Sequence, residues 1–352
     1  MKEVSVQNQN SMALRSHENF TRYVFAIQYH GGRFIGFTQH QREYDEIVQN
    51  NPSSSVHSIE YFLRSAFNKL IGKGNFENIQ ISSRTDRGVH ALFNTFHVDV
   101  RPRTMGDLPW HTKRLHTGTN SYLHRSPYFK KNLIPMQVLA VDKPPLLIPN
   151  PFYVEGSDEP KETDWNARFT AYERTYCYQI VNSVHVEGCF SPFDYDRAWR
   201  VRIGKKSNVL LDVDSMRQAA KYLIGTHDFT SFRGANCQRT SPITTVTDLQ
   251  IIESNHCLNN LYCTTATTPV SSFISKPTPV RTIKIKITGN AFLYRHVRNI
   301  VGFLVDVGYG KITAECVKST LLQKNRKIAT YAMAPSEGLY LVDVKHNYFE
   351  FK

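Results

Sequence analysis

Two hydrophobic periods meet at Gly289-Asn290, and that junction restricts what this chain can fold into. Upstream, Ile283, Ile285 and Ile287 alternate with Lys284 and Lys286, the period of two expected of a half-exposed strand. Downstream, Leu293, Val297, Ile300, Val301, Leu304 and Gly308 share one face at about 100° per residue, the stripe of a long helix. Strand and helix in direct succession point to a fold of mixed layers.

The same succession recurs along the chain. Tyr23, Phe25, Ile27 and Tyr29 alternate with Val24, Ala26 and Gln28, which predicts a strand buried on both faces and ending at Gly31-Gly32. Ile59, Phe62, Leu63, Ala66, Phe67, Leu70 and Ile71 form a helical stripe, with Ser55 as its expected N-cap and Gly72 as its stop. Short and long strands are expected over Ile79 to Ile81 and over Leu92, Phe96, Val98 and Val100. Five prolines (Pro144, Pro145, Pro149, Pro151, Pro160) make 142–164 a linker or surface excursion. Beyond it, Tyr176, Tyr178 and Ile180 read as a strand, and Met216, Ala219, Ala220, Leu223 and Ile224 as a helix face. The polar stretch Ser254 to Thr278 reads as an inserted loop, and Leu339, Leu341 and Asp343 as a closing strand. The expected architecture is α+β: a disordered tail over 1–21, then two related mixed α/β domains over 22–142 and 143–352.

Charge narrows the partners. Lys plus Arg number 43 against 30 Asp plus Glu, a net charge of +13. Such an excess favours a polyanion, because each neutralised phosphate releases condensed counterions; a merely soluble basic protein is the plainer alternative. No run of about 18 apolar residues predicts a membrane span. Six cysteines without a C-x-x-C pair, and 14 histidines without an H-E-x-x-H array, point away from a metal site and towards reduced thiols. The first twenty residues lack the apolar core of a secretory signal. The compartment stays open.

Chemistry concentrates in Ser82-Ser83-Arg84-Thr85-Asp86-Arg87-Gly88-Val89-His90-Ala91, a loop between two predicted strands. Gly88 permits a sharp turn. Arg84 and Arg87 flank one carboxylate, and two such cations are expected to hold Asp86 ionised and to attract phosphate. A turn with an ordinary salt bridge is the competing reading.

Arg84-Thr85-Asp86-x-Gly88-Val89-His90-Ala91 resembles the R-T-D-x-G-V-H-A signature of the TruA-type tRNA pseudouridine synthases. Tyr29-His30-Gly31-Gly32-Arg33-Phe34-Ile35-Gly36 is similar to that family's first-strand segment. Ala167-Arg168-Phe169-Thr170-Ala171 with Arg174-Thr175-Tyr176-Cys177-Tyr178 resembles its A-R-F-S-A…R-x-Y-x-Y stretch. Phe229-Thr230-Ser231-Phe232-Arg233 with Cys237-Gln238 resembles another block, and Gly338-Leu339-Tyr340-Leu341 the terminal strand. Gly289-Asn290-Ala291-Phe292-Leu293-Tyr294-Arg295-His296-Val297-Arg298-Asn299-Ile300-Val301-Gly302 is close to the G-N-A-F-L-x-x-M-V-R-N-I-V-G helix. The blocks keep the family's order over residues 22–344.

The resemblance implies the pseudouridine synthase fold, with a basic cleft between its two domains. It implies breakage of the N1–C1′ bond of a uridine in RNA, most naturally tRNA, rotation of the base and closure through C5. Asp86 would be the catalytic carboxylate, working without cofactor or metal, by attack on the base, attack on C1′ or abstraction of the 2′ proton. Tyr176 would stack on the target base, Arg84 would hold the place of the flipped nucleotide, and Arg298 would pair with the aspartate. Arg298 falls off the apolar stripe, so periodicity alone places it in solvent. RNA contacts are expected at Arg87, His90, Arg168, Arg233 and Arg295, and the assembly is expected to be a homodimer.

Ser83 stands where a glycine usually precedes Arg-Thr-Asp, and Arg87 where a small residue is usual. Phe37-Thr38 replaces Trp-Gln, and His296 replaces a methionine. These departures and the two long loops resemble the animal branch of the family. Arg87 beside Asp86 also sustains a rival reading, a protein that keeps the fold, binds RNA and has lost the reaction. A metal or serine hydrolase is a further rival, without a G-x-S-x-G elbow to support it.

Overall fold

The computed structural model describes residues 20–38, 57–103, 108–150, 153–156, 159–183, 195–202, 210–254, 280–326 and 331–351. Residues 1–19 of the expected N-terminal tail and the expected cap Ser55 lie outside these residues, as does the expected loop beyond Ser254.

Strand β1 (Thr21–Tyr29) is buried along nearly its whole length, as its two-sided apolar pattern demands. It is followed by α1 (Ile59–Leu70), β2 (Phe76–Ile81), β3 (His90–Val100), α2 (Thr112–Arg125), α3 (Pro127–Lys131) and β4 (Met136–Asp142). The proline-rich excursion folds back on itself as a two-stranded ribbon of β5 (Leu147–Pro149) and β6 (Glu162–Asp164). Then come β7 (Ala171–Ser183), β8 (Trp199–Arg202), α4 (Val213–Lys221), β9 (Gly225–Asp228), β10 (Ile243–Ser254) and β11 (Val280–Gly289). Helices α5 (His296–Gly308) and α6 (Cys316–Gln323) precede the last strand, β12 (Leu339–His346). No helix among the described residues is long and apolar enough to cross a membrane.

A single ten-stranded sheet runs through both stretches of chain in the order β4-β1-β3-β12-β7-β11-β10-β9, with β2 added to β3 and β8 to β7. β12 is the joint. It lies parallel to β3 through Tyr340↔His90 and antiparallel to β7 from Leu339↔Tyr178 onward. One apolar core joins the inner faces of these strands to α1, α2, α4 and α5. Phe25, Phe67 and Phe96 form its aromatic centre in the first half, with Phe25 and Phe96 stacked at 4.9 Å. Burying each such ring contributes about 1.5–3 kcal/mol. Val24, Ile148, Trp165 and Ala167 form a smaller cluster of their own.

Several expectations shift for local reasons. The cap of α1 is Ser58, whose Oγ accepts from the Tyr61 amide at 3.2 Å, while Gly72 ends the helix at φ +99° as expected. Leu92 is 53% exposed, because the β1–β3 register slips between Ile27↔Asn94 and Tyr29↔Ala91 and turns it away from the core. Ile224 lies past the end of α4 and is exposed. Helix α2 has no apolar stripe to announce it; two of its four buried residues are Thr119 and Asn120. Helix α5 starts at His296, later than its stripe, and every residue except Asp306 is buried. A helix enclosed on all sides makes the one-face reading of its wheel fail, Arg298 included.

Candidate active site

The loop between β2 and β3 is held from three sides before any functional group is considered. The Ser82 amide donates to Thr95 O at 2.9 Å, and Asn94 Nδ2 donates to Ser83 O at 2.9 Å. Thr85 Oγ1 bonds the buried Tyr29 hydroxyl at 2.8 Å, and the Val89 amide closes the turn on Asp86 O at 3.1 Å. Gly88 takes φ +83°, and Gly31 packs so closely that a Cβ there would lie 1.9 Å from Val89 O. Beneath the loop, Ser82 Oγ bonds Thr95 Oγ1, which bonds His346 Nε2 at 2.7 Å. Burial depresses the His346 pKa to about 3, so the ring stays neutral.

Asp86 projects from this loop towards the start of α5. Its Oδ2 lies 3.4 Å from Arg298 Nη1, and Arg298 Nε donates to Ala334 O at 2.7 Å. Arg298 is 9% exposed. Burial raises the Asp86 pKa above its ordinary value; the charges of Arg298 and Arg295 and the Arg298 hydrogen bond pull it back only in part. The expectation that Arg84 and Arg87 hold Asp86 ionised is therefore corrected. Arg84 is exposed and donates to Gln238 Oε1 at 3.2 Å. Arg87 is exposed and makes no ion pair with Asp86, which removes the motive for reading it as a lock on the carboxylate. Both of the aspartate's cations come from the far end of the sequence.

Tyr176 on β7 completes the floor. Its ring meets Phe292 edge-on at 5.1 Å, and its hydroxyl bonds Ser83 Oγ at 2.8 Å, tying it to the Asp86 loop through the residue that departs from the family's glycine. Arg174, two positions earlier, is a site residue that the sequence alone does not single out. Its Nη1 donates to Ala171 O at 2.6 Å and Asn290 O at 2.7 Å; its Nη2 donates to Ser82 O at 3.0 Å and Arg168 O at 3.3 Å. One guanidinium thus binds the carbonyls of the Asp86 loop, the Tyr176 strand and the turn before α5. An arginine within a strand of tyrosines was the available signal.

The other expected contacts divide. Arg168 lies over the Phe169 ring at 5.5 Å, with its pKa lowered by burial and by Arg84. Arg233 is half-buried where the short turn 230–232 ends. Arg295 caps α5 in the left-handed region, φ +59°. His90 is corrected: it is 2% exposed, accepts from the Gly31 amide on Nδ1 at 3.1 Å and meets Glu337 O through Nε2 at 3.1 Å, leaving no ring nitrogen for RNA. Its task is to fix the far end of the loop, as a neutral ring with a pKa near 4. His296 explains why methionine can be exchanged there: it is buried against Phe229 at 4.4 Å, neutral with a pKa near 3, and fills an apolar slot. No three or more His, Cys, Asp or Glu side chains gather as a metal site among the described residues.

Comparison of the sequence with known proteins points to one family. A family model described as tRNA pseudouridine synthase matches residues 219–347. The chain is 30% identical over 327 residues to tRNA pseudouridine synthase A of Ehrlichia chaffeensis, covering 92% of this chain and all of that protein. It is 30% identical over 329 residues to the protein of the same name from Ehrlichia canis, and 28% over 328 residues to that from Brucella anthropi, where coverage is 92% and 98%.

The raised Asp86 pKa means that the folded chain binds that proton more tightly than the unfolded chain does. Ionisation of Asp86 therefore opposes folding, fully so above its folded pKa and not at all below the unfolded one. Asp86→Asn is accordingly expected to raise the urea midpoint at pH 7, with the gain vanishing as pH falls through the carboxylate range. Urea titrations of both proteins across that range check this.

Proposed function

The chain belongs to the TruA-type tRNA pseudouridine synthase family, and from that premise we propose that it isomerises uridine to pseudouridine in tRNA, with Asp86 as the catalytic carboxylate. The observation that carries the assignment is the half-buried Asp86–Arg298 pair, 3.4 Å apart, at the meeting point of the β2–β3 loop and α5. In the reaction the N1–C1′ bond breaks, the base turns, C5 bonds to C1′, the C5 hydrogen leaves as a proton, and N1 gains one. No external oxidant or reductant is needed. A carboxylate beside the flipped nucleotide can serve as nucleophile or base, and Arg298 fixes its orientation for either.

Tyr176 has the place of the stacking residue. Its hydroxyl and ring edge are already held, so base stacking, worth about 1–3 kcal/mol, needs little further ordering. Arg84, at the exposed rim, is suited to occupy the gap left by a flipped base. Arg87, Arg168, Arg233 and Arg295 supply a positive border for the flanking phosphates. We assign the two stretches 22–142 and 143–352 to the two related domains of the family, and the chain to its animal branch on the departures at Ser83, Arg87 and His296.

A homodimer completes the reading. Its support is the sheet face where Leu92 and Ile252 are exposed beside Gln28, Gln179 and Tyr340. Light scattering is expected to give twice the single-chain mass of 40.5 kDa; a mass of one chain would end the proposal. For the reaction itself, unmodified tRNA transcripts carrying tritium at uridine C5 should release it with the wild type and not with Asp86→Ala. Release by both would remove Asp86 from the catalytic role. Release by neither, with RNA still bound, would favour an inactive RNA-binding protein.

A further inference from the structure

Arg295 is a costly residue where it stands. Its backbone lies at φ 59° and ψ 14°, a conformation that glycine adopts freely and a residue with a side chain only at a cost. It caps α5 without capping it: its side chain makes no hydrogen bond to the helix, and it sets a cation at the positive end of the helix dipole. Gly234 locks the turn in place. Its amide donates to Tyr294 O at 2.6 Å, and a Cβ there would meet Tyr294 O at 2.9 Å and Arg295 Cβ at 3.1 Å.

The guanidinium so placed has no acceptor. Nε is buried with no hydrogen-bond partner among the described residues, and the flat group lies 4.8 Å from the centre of the Tyr294 ring. One face is covered and none of its donors is paired among the described residues, so the planar fork still lacks the oxyanion it is suited to. Asp86 is close enough to feel its charge, yet Asp86 already has its hydrogen bond from Arg298. The two arginines therefore have different tasks.

We propose that Arg295 is the phosphate-binding residue of the site, its strained turn aiming the guanidinium at the phosphodiester of the target nucleotide while Arg298 alone holds Asp86. This rests on the RNA-isomerase reading above and specifies which group of the substrate meets which arginine. Phosphate is the anionic part of a uridine nucleotide at neutral pH, and a nucleotide whose C1′ reaches Asp86 carries its own phosphate into the range of the neighbouring cation. Substrate thus supplies the missing acceptor.

The test compares wild type, Arg295→Gly and Arg295→Gln on an unmodified tRNA transcript. Three quantities are read: thermal midpoint, salt dependence of the RNA Kd, and single-turnover tritium release. Arg295→Gly should melt above wild type, because glycine relieves the left-handed backbone, yet react at least about tenfold more slowly. Arg295→Gln keeps the strain and should show the same slowing without the gain in melting temperature. Both should lower the slope of log Kd against log salt by about one, the signature of a lost phosphate contact. An unchanged slope would assign Arg295 to the uracil or to structure and overturn the proposal. So would a glycine variant that reacts at the wild-type rate. Wild type that binds tRNA without releasing tritium would sink the isomerase reading alone, since the salt slopes still report on Arg295.

Discussion

The Asp86–Arg298 pair is the interaction around which the rest of the molecule is arranged. It joins a loop near residue 86 to a helix more than two hundred residues later, so every element between them must place the two ends within 3.4 Å. A pair taken out of water returns little net stability, because desolvation consumes most of its Coulomb attraction. The raised pKa of Asp86 shows that balance tipped against the charge. What the pair provides is a carboxylate held in one direction, with a second cation, Arg295, left over beside it.

Keeping the two partners in register is the work of backbone rather than of further charge. β12 pairs with β3 on one side and β7 on the other, so the strand that follows the Asp86 loop and the strand that carries Tyr176 are fixed by the same neighbour. Arg174 adds a second tie, donating to carbonyls of the loop, the strand and the turn before α5. The Ser82–Thr95–His346 chain supports the loop from below with a neutral imidazole. Polar groups buried around the loop are tolerable because they find partners, as the Arg174 and Arg298 guanidinium groups do on backbone carbonyls. Arg295 Nε, close enough to Asp86 to act on its charge, is left without a partner among the described residues.

Much of the scaffold is legible from periodicity. The Ile283–Ile287 alternation, the Tyr23–Tyr29 run and the stripe of α1 appear where the residues say they should, because each buries a face that only one period can supply. The failures have specific causes. Leu92 obeys a register that a one-residue slip reverses, and α2 relies partly on Thr119 and Asn120 for its buried side. Arg298 breaks its wheel because α5 is enclosed all round. At the site, neighbours in sequence mislead: Arg84 and Arg87 stand next to Asp86 in the chain but neither pairs with it, and its cations arrive through the fold. His90 matched a motif and yet serves packing. Proximity along a chain is a weak guide to proximity of charge.

The central claim is that Asp86 is a desolvated carboxylate steadied by Arg298, and its titration tests this most directly. Carbon-13 NMR of the aspartate carboxyls, with the Asp86 signal assigned by its loss in Asp86→Asn, would follow that group in wild type and in Arg298→Gln. The account predicts an Asp86 midpoint above the ordinary 3.8 in wild type, and one higher still once the guanidinium is gone. A wild-type midpoint at or below 3.8, or one that Arg298→Gln leaves unmoved, would contradict it.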